Sequence, residues 1–367
     1  MSQSALDELF MMECLTLARK GTGSVSPNPR VGTVIVRNGK VVSRGYHRRF
    51  GGPHAEVEAI RAAHQSVRSA TMYVNLEPCN IFGKTPPCVN LLLESGIKRV
   101  VVGMRDPNPN VCGRGIARLR KAGLKVDVGV LEAECQAINE SFTKHVTTGL
   151  PFVTLKVAQT LDGMIADENG RSRWITSTAS RKTVHLLRAE VDAVLVGAGT
   201  IEADNPKLTV RMVRGHSPNR IVLDGRFTTR ADANVFNRKS GSNTILITSR
   251  KAALRHKTKK ALLQNKGVEI MELSSDRNQS FKLRDVLKAL GRRGITSVLV
   301  EGGSEVFGRF INEKCADRLL VFVAPIAFGT GLSAYSSLIS RMSLRLSRPV
   351  SSYVVGDDVL LEYRLDS

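Results

Sequence analysis

The 367-residue sequence is poor in aromatic side chains (5%) and has a single tryptophan. Stacking platforms for single-stranded nucleic acid are therefore sparse. Acid is scarce too: 54 Lys and Arg face 33 Asp and Glu, for a formal charge of +21. No apolar run approaches the roughly 18 residues that a membrane span requires. The opening MSQSALDELFMMECLTLARKG carries acids early and then amphipathic helical spacing. It lacks the basic n-region and apolar core of an export signal, and the Arg/Ser-rich, acid-poor pattern of a transit peptide. A soluble, cytoplasmic protein is expected. The six cysteines of such a chain are poor disulfide candidates, which leaves metal binding or burial. No repeat or low-complexity tract is present, and no G-x-G-x-x-G follows a strand.

What remains is an ordinary globular composition, 42% apolar and 24% charged, in a chain long enough for two or three domains. The charge is spread, +8 over residues 1–150 and +13 over the rest, with no basic tail. Such a field draws polyanions, RNA included, and equally suits phosphorylated small molecules. With so few aromatics, small phosphorylated ligands are the expected partners and nucleic acid is not.

Strand and helix signals alternate along the chain. VGTVIVRNGKVVSRGYH (31–47) reads as a hairpin about Asn38-Gly39. HAEVEAIRAA (54–63) has helical spacing, ATMYVNLEP (70–78) is a strand ending at a proline, and CVNLLLES stops at Gly96. IKRVVVGM (97–104) is the next strand, before the Pro- and Asn-rich DPNPN. TTGLP (147–151) marks a restart. Beyond it FVTLKVA, DAVLVGAG, RIVLD, NTILIT, SVLVEGG and RLLVFVAP are near-continuous apolar runs, as in strands covered on both faces. Two layered α/β domains with largely parallel sheets are expected, over 1–147 and 148–367. Residues 251–282 read as a basic, polar surface region.

The first half carries a metal-site pattern. His54-Ala55-Glu56 is followed by Pro78-Cys79 and, after eight residues, Cys88. H-x-E with P-C…C is the signature of zinc-dependent nucleobase deaminases. One neutral imidazole and two thiolates balance a 2+ ion and leave a fourth position open. Glu56, two residues from the ligand histidine, is placed to shuttle a proton. A lone His-x-Glu at a helix start is usually a surface feature, and two cysteines nine apart are usually buried thiols; the joint pattern is far rarer. Cys14, Cys112, Cys135 and Cys315 lack matching partners and are expected to be structural, and His64 and His145 have no ligand context.

The stretches SPNPRVGTVIV (26–36), HAEVEAI (54–60), NLEPCNIFGKTPPC (75–88), RDPNPNVCGRGI (105–116) and AGLKVDVGVL (122–131) resemble the bifunctional riboflavin-biosynthesis deaminase–reductases. So do LKVAQTLDGMIA (155–166), SRWITS (172–177), VHLLRAEVDAVLVGAGTIEADNPKLTVR (184–211) and EGGSEVFGRF (301–310). The resemblance implies a cytidine-deaminase-like three-layer α/β domain followed by a dihydrofolate-reductase-like α/β domain. It implies Zn2+ held by His54, Cys79 and Cys88, with Glu56 as proton donor. The first domain would remove the 2-amino group of 2,5-diamino-6-ribosylamino-4(3H)-pyrimidinone 5′-phosphate. The second would reduce the ribosyl group with NADPH to give 5-amino-6-(ribitylamino)uracil 5′-phosphate.

By motif position, Asn28, His47, Lys84, Asp106 and Asn108 would contact the deaminase substrate. Three of these, Asn28, Asp106 and Asn108, also sit in turns where such side chains cap backbone. One departure stands out: Ile81 occupies the place of a family histidine, and isoleucine cannot donate a hydrogen bond. In the second domain Ala158, Trp174, Thr200, Asp204 and the segment Gly303, Ser304, Glu305, Val306, Phe307, Gly308 and Arg309 would contact NADPH. Ser172, Arg188, Leu208, Arg211 and Glu301 would contact substrate. Lys156 and Glu301 would assist the reduction, and Arg226 is placed for the adenosine 2′-phosphate. A homodimer or tetramer is implied. The competing readings are a tRNA-type deaminase, against which the eight-residue gap and the second domain argue, and a chain with only the reductase half active.

Overall fold

The computed structural model describes residues 2–82, 86–172, 174–237, 242–338, 346 and 349–365. The chain divides into two compact units, Met1–Leu150 and Pro151–Ser367.

The first unit is a five-stranded sheet with helices. Its strands are β1 (Gly32–Arg37), β2 (Lys40–Tyr46), β3 (Thr71–Leu76), β4 (Arg99–Met104) and β5 (Lys125–Val128), in the order β2-β1-β3-β4-β5. The helices are α1 (Gln3–Arg19), α2 (Ala55–Arg61), α3 (Cys88–Ser95), α4 (Arg114–Lys121), α5 (Glu132–Ile138) and α6 (Glu140–Thr148). The hairpin forms as its sequence predicts: Asn38 and Gly39 both take positive φ, 51° and 72°, as a type I′ turn requires. β1 pairs antiparallel with β2 and β3, whereas β3, β4 and β5 run parallel. Consecutive residues of β3 and β4 are buried almost without interruption. Side chains alternate between faces, so both faces of the sheet are covered and the unit has three layers.

The second unit has a nine-stranded sheet in the order β11-β10-β9-β8-β12-β6-β13-β16-β15 and a small β14-β7 pair. The strands are β6 (Phe152–Thr160), β7 (Met164–Asp167), β8 (Ala193–Gly197), β9 (Asn219–Leu223), β10 (Thr244–Ser249), β11 (Glu269–Leu273), β12 (Ser297–Val300), β13 (Arg318–Ala324), β14 (Gly331–Ser333), β15 (Ser351–Val355) and β16 (Asp358–Arg364). The helices are α7 (Thr178–Glu190), α8 (Ala198–Asp204), α9 (Arg250–Arg255), α10 (Lys257–Asn265), α11 (Leu283–Gly291) and α12 (Ser304–Asn312). Strands β11 through β13 of that order run parallel, and only β16 is reversed, pairing antiparallel with β13 on one side and β15 on the other. The apolar runs read as two-sided strands are those buried throughout, such as β8 and β12. The basic region 251–282 is ordered structure, not a featureless surface: it holds most of α9, then α10 and the edge strand β11.

Of the cysteines without a motif, Cys14, Cys135 and Cys315 are buried, but Cys112 is exposed. Among the described residues no helix is long and apolar enough to cross a membrane.

Candidate active sites

In the first unit two helix starts meet the end of a strand. His54 is the N-cap residue of α2, yet its ring caps no backbone N–H; the ring is left to other partners. Pro87 caps α3, whose first residue is Cys88, and Cys79 follows β3 by three residues. His54 Nδ1 lies 3.5 Å from Cys79 Sγ and 3.3 Å from Cys88 Sγ. Among the described residues these three side chains are the group of donors able to hold a metal, all within 4.8 Å of one another. Ligands at zinc's bond lengths and tetrahedral angle stand about 3.5 Å apart, so the donor set fits the ion in type, charge and spacing. The Cys88 thiol donates toward Cys79 and, with the Cys88 backbone N–H and His54, holds Cys79 down to about 4 despite burial. The pair carries a sulfur charge that a dication would neutralise.

Glu56, in the first turn of α2, is buried beside Cys88. Burial pushes its carboxyl above the ordinary range, with His54 opposing and Cys79 adding. That suits a group that must hold a proton and release it.

His47 Nδ1 donates to Pro53 O (2.8 Å), so the neutral ring accepts at Nε2 from Asn28 Nδ2 (3.0 Å). The Asn28 carbonyl oxygen is thereby turned away from His47. The His47 ring meets that of His54 edge-on at 5.5 Å. Asp106 is buried, and its carboxyl is raised to about 6 by burial, Glu77 and Cys79. Its Oδ1 accepts from Asn108 N, and Asn108 Oδ1 accepts from Asn110 N. Both side chains thus serve the turn in which they sit. Ile81 is exposed beyond Cys79, and Lys84 lies outside the described residues.

Sequence reasoning missed Glu77. This buried carboxylate accepts four backbone N–H groups, from Asp106, Gly113, Gly115 and Ile116, at 2.8–3.2 Å. It fastens the 106–116 segment against the strand that delivers Cys79. Gly115 is required there, because a Cβ would fall 2.3 Å from Pro78 O.

The second unit has a cavity of about 1080 Å³ at the carboxyl ends of its central strands, the usual location in an open α/β sheet. At one end Arg188 donates to both Glu301 oxygens (2.6 and 2.7 Å), and Lys156 Nζ stands 4.0 Å from the same carboxylate. Burial pushes the Glu301 carboxyl up, but Arg188 and Lys156 outweigh it and hold it down to about 2. Burial lowers Lys156, with Glu301 opposing. Ser172 donates to Asp204 (2.7 Å), and Arg181 stacks on Trp174, which is 71% exposed.

Leu208 packs into the core cluster with a left-handed backbone, φ 53°, so its backbone, more than its side chain, shapes the adjoining wall. Arg211 Nη1 donates to Thr209. The strand-to-glycine turns form as expected: Gly197 caps α8 and Gly303 caps α12. Thr200 Oγ1 lies against Gly302 and Gly303, which are joined by a cis peptide. Ala158, Thr200, Gly303 through Phe307, Arg309 and Arg226 all line the cavity. Gly308 does not: it packs against Ser337, whose carbonyl oxygen would lie 2.7 Å from an added Cβ.

His185 is the further residue that sequence reasoning passed over; its spacing of three from Arg188 on α7, which puts both on one face, was the available signal.

Comparisons with known proteins find relatives of both units. Residues 4–104 match the cytidine and deoxycytidylate deaminase zinc-binding region, and residues 151–361 match the RibD C-terminal domain. The riboflavin biosynthesis protein RibD of Aquifex aeolicus is 45% identical over 89% of each chain. That of Escherichia coli is 37% identical over 88% of this chain and 89% of its own. The crystal structure of a diaminohydroxyphosphoribosylaminopyrimidine deaminase/5-amino-6-(5-phosphoribosylamino)uracil reductase from Thermotoga maritima superposes with a TM-score of 0.88, at 41% identity and full coverage of both chains. With a zinc-type donor set in one unit and a nucleotide-sized cavity in the other, the chain belongs to the RibD family, the bifunctional zinc-dependent deaminases and NADPH-dependent reductases of riboflavin biosynthesis.

Proposed function

We propose that the first unit, with its boundary near residues 147–148, hydrolyses the 2-amino group of 2,5-diamino-6-ribosylamino-4(3H)-pyrimidinone 5′-phosphate, and that the second reduces the product. The observation that carries the reading is the convergence of His54, Cys79 and Cys88 beside a buried carboxylate. A zinc ion held by these three residues supplies the Lewis acidity that makes water nucleophilic near neutral pH. Glu56 takes a proton from the attacking water and passes it to the departing nitrogen, so that ammonia leaves. The Asn28 carbonyl, oriented through His47, accepts from a pyrimidine N–H. Asp106 and Asn108 hold the wall of the site, and Lys84 meets the phosphate.

In the second unit NADPH supplies the hydride for the ribosyl carbon. Thr200 and the first turn of α12 would hold its pyrophosphate, since backbone N–H groups at a helix start favour anions. Trp174, Ala158 and Asp204 would contact the cofactor, and Arg226 would meet its 2′-phosphate. Lys156, buried and four ångströms from Glu301, gives the proton that completes the ribityl product. Arg188 keeps Glu301 ionised, and Arg211 holds the substrate phosphate. Ser172 and the Leu208 backbone bound the sugar. The enzyme works in the cytoplasm as a homodimer or tetramer on small phosphorylated pyrimidines.

The test is zinc content together with NADPH oxidation started by the diamino substrate alone. Stoichiometric zinc, ammonia release and NADPH oxidation are expected. Oxidation that requires externally deaminated substrate would remove the deaminase assignment.

A further inference from the structure

The cations of the reductase cavity are not equivalent. Arg188 spends its donors inside the protein, two on Glu301 and Nη1 on Thr209 O. The Arg211 guanidinium bonds Thr209 alone among the described residues, through Nη1, and pairs with no carboxylate there. Burial and the neighbouring Arg188 charge weigh against its own charge, with the Glu301 carboxylate opposing them from a distance. An anionic ligand would give the guanidinium a direct partner.

His185 stands beside this guanidinium. It is buried on α7 and lines the same cavity. Its Nδ1 accepts the Arg211 backbone N–H at 3.0 Å. An imidazole that accepts at Nδ1 carries its proton on Nε2. Among the described residues Nε2 meets no partner, so the ring has one unused donor. Burial, Arg188 and Arg211 hold its pKa down to about 4, which keeps it neutral at working pH. A neutral donor and a guanidinium with no carboxylate bonded to it make an anion site without adding a third repelling charge.

We propose that His185 completes the anchor for the substrate's phosphate monoester: Nδ1 fixes the Arg211 backbone, and Nε2–H donates to a phosphate oxygen. This rests on the reading that Arg211 holds that phosphate. It assigns a binding role to a residue that carries none of the family's motif roles given above.

The experiment compares kcat/KM of the full-length enzyme for 5-amino-6-(5-phosphoribosylamino)uracil and for its dephosphorylated counterpart. The preference of the wild type for the phosphorylated form is expected to shrink about tenfold in His185→Ala, the worth of one charge-assisted hydrogen bond. The KM for NADPH should stay put. His185→Asn keeps an acceptor near Nδ1 but removes the Nε2 donor, and should lose the preference equally if the alanine variant folds poorly. Inorganic phosphate, competing against the phosphorylated substrate, should weaken as an inhibitor in both variants. Equal losses on the two substrates, or a rise confined to the KM for NADPH, would overturn the proposal. Arg211→Ala separates the levels. If it abolishes the preference while His185 variants retain it, only the histidine's role fails; if it too leaves the preference intact, the phosphate lies elsewhere and both readings fall.

Discussion

The two sites solve opposite electrostatic problems. In the first unit, sulfur charge accumulates at Cys79 and an imidazole leans against it, so the site is short of positive charge. In the second, Glu301 is surrounded by Arg188 and Lys156, with Arg211 close by, so the site is short of negative charge. The donors of the first suit a cation, and on the proposed reading the second takes an anionic substrate. A chain of +21 can therefore still offer a site to a metal dication, because the donors form a local pocket of opposite sign. Net charge describes what reaches the molecule, and local donors decide what stays.

Each side of this contrast can be broken independently. Glu56→Gln should cut deaminase turnover by about 10² to 10⁴, the usual worth of a general acid–base group. Zinc content and reduction of pre-deaminated substrate should be unchanged; a parallel fall in reduction would mean that the two sites are not separable. Next comes Arg188→Ala, which strips the partner from a buried carboxylate and should destabilise the second unit by about 3–5 kcal/mol, read as a lower denaturant midpoint for one of two transitions. The deaminase should survive that change.

Acid titration sharpens the same point. Glu301 is held down to about 2 from an ordinary value of 4.5. A depressed carboxyl contributes stability that is fully present above pH about 4.5 and is lost as pH falls toward about 2. The stability difference between wild type and Glu301→Gln should therefore shrink across that window, and a constant difference would refute the assignment. The smallest effect is expected from Ile81→His. One restored hydrogen bond at an exposed position should change the deaminase KM by no more than about tenfold, and no change in KM or turnover would show that Ile81 costs nothing.

The same contrast explains what could be read beforehand. Metal ligation needs rare residue types, so His54, Cys79 and Cys88 stand out as a pattern even though the chain separates the first from the last by 34 residues. The alternation of strands and helices was equally visible, because apolar runs have a period. The reductase cavity uses common residues brought together from β6, α7 and the end of β12, and no spacing links Lys156 to Glu301. There the resemblance supplied names, but the ion-pair geometry had to come from the fold. Glu77 and His185 were missed for a related reason: their partners are backbone N–H groups, which every residue has. Gly308 illustrates the converse. It belongs to a recognisable glycine-rich stretch, and its want of a side chain also answers to Ser337, whose carbonyl oxygen would stand 2.7 Å from a Cβ.

The Glu77 carboxylate on which four amides gather stands two residues along the chain from Cys79, whose sulfur belongs to the candidate metal site. Hydrogen–deuterium exchange at positions 106, 113, 115 and 116 would thus serve as a built-in gauge of how firmly Cys79 is held, readable without any substrate. Stripping the enzyme with a chelator and watching those four signals alone would distinguish a scaffold that waits, already shaped, for its ion from one that the ion must mould.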